Sequence, residues 1–312
     1  MRLASTLVFV SLLFAAAVGC GSSEDESASA ATVAASTGIW ADVTEQVAGD
    51  DASVEQVIPD ATSPHEFQLS AQDRAKIEDS LLLVYNGADL EAGIPIDEID
   101  VPKFAVADHV GELERFRPAG SREHPTPEEE EQGGVDPHVW MDPSRVAAAL
   151  PALAGALAEA DPDHADGYRS RAASYAAELR QLDAEVAGAV STIPAQNRKL
   201  VTSHDATGYF ADRYGFEVLA TPFPATGPEA EASAQTIKEV EDAVRSSGVP
   251  TIFAQETDDP EVLERIANET GVAIEEHLLV EAPGEAGSYV GMLRQDAELL
   301  RAGLAPAPAA TP

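Results

Sequence analysis

The sequence predicts an α/β protein made of two parallel-sheet lobes flanked by helices and joined by one long backbone helix. Three observations point there. Short apolar runs bounded by turn residues alternate with helical stretches along most of the chain, the pattern of parallel strands with crossover helices. Once, over 161–191, the alternation gives way to a single long stripe in which Tyr168, Ala172, Tyr175, Leu179, Leu182 and Val186 recur at three- and four-residue steps. At about 1.5 Å per residue that stripe extends some 40–45 Å, long enough to span two lobes. Finally, Asp142-Pro143 and Asp161-Pro162 each pair an N-cap with Pro at the first helical position and so mark helix starts.

The elements follow in order. Residues 7–18 form an uncharged apolar run after Arg2, too short to span a bilayer, and 1–19 reads as a signal peptide. The run ends in Ala17-Val18-Gly19-Cys20, which resembles a lipobox with Cys20 as the lipidated first residue of the mature chain. Cys20 is the only cysteine, which excludes a disulfide and argues against a thiolate zinc site. Residues 20–36, small, polar and acidic, read as a flexible tether. In an N-terminal lobe at 37–160, GIWADV (38–43), VEQVIP (54–59), LLLVYNG (81–87) and KFAVA (103–107) read as strands, and 70–80 as a helix capped by Ser70. Residues 108–135 show no periodicity and are expected to form a mobile functional loop. After the linking helix, a C-terminal lobe at 192–304 is expected to place strands at KLVTS, FEVLA, TIFAQ and AIEEHLLV. Helices are expected between them near 205–214, 233–246, 259–269 and 287–302. A Pro/Ala tail, 305–312, need not fold.

Removing 1–19 leaves 18 basic and 55 acidic residues, a formal charge of −37. Phosphate backbones and anionic lipid surfaces repel such a chain, so nucleic acid and a polybasic membrane face are excluded as partners.

Four metal-capable side chains lie at nearly even intervals: His65 in TSPHEF, His138 in DPHVWMDP, His204 in VTSHDA and Glu281 in LLVEAPG. Zinc-finger ligands cluster in a short span. Even spacing instead suits successive strand-to-helix connections that each send one ligand into a shared cleft. Asp136 or Asp142 is placed to orient His138. At the fourth position, Glu256 or water is the alternative to Glu281. His109 and His164 read as surface residues and His277 as packed in an apolar strand. His124, with Glu128 to Glu131, offers at most a weak cation-collecting surface in the acidic loop 112–134. A metal-dependent hydrolase is disfavoured, because three imidazoles and a carboxylate leave no open position and there is no HExxH, GxSxG or cysteine nucleophile.

PHEF, VYNGADLE, DPHVWMDP, DPDHADGYRSRA, LVTSHDATGYFADRYG, IFAQETDDPEVLERIANETGV and GSYVGMLRQDAELL together resemble the solute-binding lipoproteins of zinc/manganese ABC importers. The resemblance covers nearly the whole mature chain. It implies ligation by His65, His138, His204 and Glu281, and a monomer anchored outside the membrane that passes a divalent metal to an ABC permease. It also implies slight lobe tilting rather than wide closure. The alternatives are a Mn(II)-binding importer component and a surface adhesin, a role sometimes claimed for relatives of the family. Two features depart from the family pattern: DATSPH replaces a Gly/Asp-rich lead into the first His, and Glu281 stands where Asp is common. Manganese-selective relatives tend to carry a carboxylate at the third position, where this chain has His204. Three nitrogens and one oxygen therefore favour Zn(II) over Mn(II).

Overall fold

The computed structural model describes residues 31–116, 134–223, 232–256 and 260–305. The expected signal peptide, Cys20, the first part of the tether, His124 with its acidic neighbours and the end of the Pro/Ala tail lie outside the described residues.

The first lobe is a parallel sheet of β1 (Ala31–Ala35), β2 (Ala52–Gln56), β3 (Leu83–Tyr85) and β4 (Lys103–Ala105) in the order β2-β1-β3-β4. Its centre corrects the sequence reading twice. GIWADV is not a strand but the start of helix α1 (Gly38–Ala48), capped by the Thr37 hydroxyl, which accepts from the Trp40 N–H. Ile39, Trp40, Val43 and Val47 bury one face at helical spacing, which a short apolar run does not reveal by itself. The missing strand is ATVAA, taken from the segment 20–36 expected as tether, so the lobe begins at Ala31. Small residues suffice there because β1 pairs on both sides, with β2 through Ala31↔Ala52 and onwards and with β3 through Ala34↔Leu83 and Ala35↔Val84. Helix α2 (Ala71–Glu78) follows β2, with Ser70 as its cap.

Helix α3 (Pro143–Ala160) starts on the Asp142 cap, whose carboxylate accepts from the Ser144 N–H, and α4 (Ala165–Ser191) follows a short 3-10 turn at Pro162–His164. All six stripe residues of α4 are buried. The helix packs on α1 and α3 of the first lobe and on the C-terminal helix of the second.

The second lobe contains β5 (Lys199–Val201), β6 (Glu217–Ala220), β7 (Thr251–Gln255) and β8 (Ala273–Leu278), with β5 parallel to β6 and β7 parallel to β8. A parallel bridge between Thr202 and Phe253 sets β5 beside β7. The order β6-β5-β7-β8 repeats that of the first lobe. Helices α5 (Gly208–Tyr214), α6 (Ala234–Ser247), α7 (Glu261–Thr270) and α8 (Tyr289–Leu304) alternate with the strands. Tyr289 opens α8 by donating its N–H to Asp42 on α1 at 2.8 Å, so the last helix braces both lobes. Order reversal in a parallel sheet opens a crevice beyond the strand carboxyl ends, between β1 and β3 and again between β5 and β7.

Candidate metal centre

Each proposed ligand follows a strand and precedes a helix. His65 lies between β2 and α2, in a turn where the Ser63 carbonyl accepts from the N–H groups of Glu66 and Phe67 at 3.1 Å. His138 lies between β4 and α3, His204 between β5 and α5, and Glu281 between β8 and α8. One ligand-capable atom from each side chain falls within 4.8 Å of those of the other three. His65 and His138 come from the first lobe, His204 and Glu281 from the second. Nε2 of His65 is 3.3 Å from Nε2 of His138 and 3.9 Å from Glu281 Oε1, and His204 Nε2 is 3.6 Å from the same oxygen. A tetrahedron with metal–ligand bonds near 2.0–2.1 Å has edges of about 3.3–3.4 Å, so two of these separations stand close to a formed coordination shell.

His138 is the most tightly held. Asp136 Oδ1 accepts from its backbone N–H at 2.9 Å and lies 2.7 Å from its Nδ1. A carboxylate only accepts, so Nδ1 carries the hydrogen and Nε2 turns its lone pair toward the cluster. Of the two acids expected to orient this ring it is Asp136 that does so, while Asp142 caps α3. Burial, and then the neighbouring His204, hold the His138 imidazole well below its usual 6.5. It is therefore a neutral base, as ligation requires.

The supports reach into both sheets. The Tyr209 hydroxyl donates to the Asp136 carbonyl at 3.0 Å, and Asn86 Nδ2 donates to the Pro137 carbonyl at 2.9 Å. Asn86 is itself placed by buried Glu91, whose carboxylate accepts from the N–H groups of Asn86 and Gly87 and from the Ser36 hydroxyl. Around that turn Ala88 and Asp89 take positive φ angles of 52° and 62°, a strained backbone that the surrounding bonds hold in place. In the second lobe, the His204 carbonyl accepts from the Thr202 hydroxyl and from Gln255 Nε2. Buried Asp296 accepts the Leu279 N–H at 2.9 Å, ahead of Glu281, and the Ser63 hydroxyl donates to Glu281 Oε1 at 3.2 Å.

His138, His204 and Glu281 are buried, and His65 is the partly exposed member. Glu256 is outside the four; with Asp60, Glu281 and Gly284 it lines an adjoining cavity of about 210 Å³. His109 and His164 are exposed, one stacked on Phe104 and the other paired with Asp161. His277, expected to be packed, is exposed, because β8 pairs only with β7 among the described residues and its residues 275–277 face partly outward. The sequence reading missed the supporting roles of Trp140, Tyr209 and Ser63. Trp140 stood inside DPHVWMDP, but its partner lies 140 positions away.

The model of a family described as zinc-uptake complex component A, periplasmic, matches residues 33–303. The iron-binding protein YfeA of Yersinia pestis is 30% identical over 306 residues, covering 96% of this chain and 94% of its own. The manganese-binding lipoprotein MntA of Halalkalibacterium halodurans is 27% identical over 310 residues, covering 96% and 97%. Among solved structures, the periplasmic zinc-binding protein TroA of Treponema pallidum superposes with a TM-score of 0.79 at 26% identity, covering 88% of this chain and 99% of that one.

Proposed function

The chain belongs to the zinc-uptake complex component A family of periplasmic proteins, and from that premise we propose that it captures Zn(II) through His65, His138, His204 and Glu281 and delivers it to an ABC permease. Membership makes it an extracytoplasmic metal-binding component of an importer, a transport protein and not an enzyme. The relatives are named for iron, manganese and zinc, and it is the donor set that favours zinc. The observation that carries the reading is the convergence of three imidazoles and one carboxylate within 4.8 Å. Borderline-soft zinc accepts this set as a tetrahedron, whereas manganese favours harder, oxygen-rich shells.

All four side chains come from one chain, so a monomer suffices. Cys20 serves as the lipid anchor, which would hold the protein at the outer face of the cytoplasmic membrane. A Cys20→Ala chain found in the soluble fraction, or retained with its leader uncleaved, fits this; a processed chain that still partitions with membranes does not. For the metal, competition titration of the apo-protein at pH 7 is the test, backed by elemental analysis of protein purified without added metal. Tighter binding of manganese than of zinc would overturn the zinc reading.

A further inference from the structure

We infer that Ser63 sets the metal selectivity of this site by holding Glu281 as a one-oxygen ligand. The inference rests on the zinc-binding reading above and goes beyond it, to a residue that is not itself a ligand. The Ser63 hydroxyl donates to Glu281 Oε1 at 3.2 Å, across 218 positions of sequence. Oε1 is also the oxygen that faces the imidazoles, 3.9 Å from His65 Nε2 and 3.6 Å from His204 Nε2. The last torsion of a glutamate is broad and two-fold. Unrestrained, its carboxylate could swing to present both oxygens to an ion and raise the coordination number to five. A donor seated on the inward oxygen holds that oxygen toward the imidazoles and hinders the rotation that would present both oxygens.

Ser63 can do this because it is anchored on its own side. Its carbonyl accepts from the N–H groups of Glu66 and Phe67, closing the turn that presents His65. One residue thus fixes the first-lobe ligand turn through its backbone and the second-lobe ligand through its hydroxyl. A four-coordinate site with a single oxygen donor suits zinc, and denying the second oxygen withholds a hard donor that manganese needs.

The experiment compares wild type, Ser63→Ala and Ser63→Thr as apo-proteins. Zn(II) and Mn(II) affinities come from competition titration, and the zinc coordination number from X-ray absorption. Loss of one charge-assisted hydrogen bond is expected to raise the Mn:Zn affinity ratio of Ser63→Ala by about tenfold. Coordination should move from four towards five, and Ser63→Thr should restore both readouts. An unchanged ratio with four-coordinate zinc in Ser63→Ala overturns the inference, as does an equal loss of both affinities, which would mark a merely structural residue. Failure of the wild-type chain to bind zinc instead removes the reading on which the inference rests.

Discussion

Trp140 donates its indole N–H to the carbonyl of Val280 across 2.6 Å, tying the loop of His138 to the loop of Glu281. The Trp140 carbonyl accepts in turn from the Tyr289 hydroxyl at 2.5 Å, at the start of α8, and its ring meets Trp40 edge-on at 6.2 Å. A buried aromatic with a satisfied polar edge thus clamps the two lobes beside the metal centre. The ligand geometry therefore depends on a contact between segments that belong to different sheets.

Trp140→Phe keeps most of the ring and deletes the donor, leaving the Val280 carbonyl short of a partner. The unmade bond should cost about 1–3 kcal/mol of stability. Zinc affinity should fall by about tenfold as the Glu281 loop loosens. Thermal melts of the apo-protein and zinc titration read the two effects. Full retention of affinity alongside lost stability would show that the clamp serves folding alone.

A β-carbon added at Gly208 would lie 2.5 Å from Asp136 Oδ2. That oxygen belongs to the buried carboxylate that orients His138, so it cannot swing aside freely. Gly208→Ala should push Asp136 off the ring and lower zinc affinity by about 10–100-fold, the range seen when a ligand's hydrogen-bond partner is lost. Asp136→Asn should give a similar loss. If Gly208→Ala binds zinc as wild type does, the Asp136–His138 bond is not what sets affinity.

The four side chains that the structure brings together were legible because they sit in local settings that chemistry recognises: an imidazole after Asp-Pro, another directly after a buried strand, an acid after the last strand. The long helix was legible from its stripe, and α3 from its Asp-Pro start. The first strand was not, because ATVAA buries itself through two hydrogen-bonded neighbours rather than through large side chains. GIWADV misled for the complementary reason, since its apolar residues fit a strand until the helical continuation to Val47 is counted. Ser63 and Trp140 act over 218 and 140 positions; such pairings follow from the three-dimensional arrangement of the lobes and leave no local trace.

The pH response of the apo-protein should carry the signature of His138. Burial, then His204, depress its folded pKa well below 6.5, so below 6.5 the unfolded chain takes up a proton that the native chain refuses. The contribution to stability is full above 6.5 and is lost as pH falls towards the folded value. Melting temperature should therefore drop from about pH 7 to pH 5, less steeply in His138→Gln, and the imidazole resonance of His138 should titrate well below 6.5. At pH 6.5 zinc displaces no proton from this residue, so proton competition there begins lower than for an exposed imidazole. A midpoint at or above 6.5 would contradict the buried neutral ring.

His204, the third proposed ligand, offers the sharpest test of metal choice. His204 is held through its carbonyl, by Thr202 and Gln255, so replacing its side chain leaves the backbone bonds in place. His204→Glu converts three nitrogens and one oxygen into two and two. It also sets a second carboxylate beside Glu281, whose Oε1 lies 3.6 Å from the present imidazole nitrogen. Zinc loses a preferred nitrogen donor, and manganese gains a hard oxygen and added negative charge. The zinc-to-manganese affinity ratio should therefore fall by about 10–100-fold, mostly through weaker zinc binding, which sits higher than manganese in the divalent affinity series. Paired titrations of the apo variant with each metal at pH 7 measure the ratio directly. A ratio unmoved by this exchange would mean that the third donor does not govern selectivity and that donor count does not select zinc here.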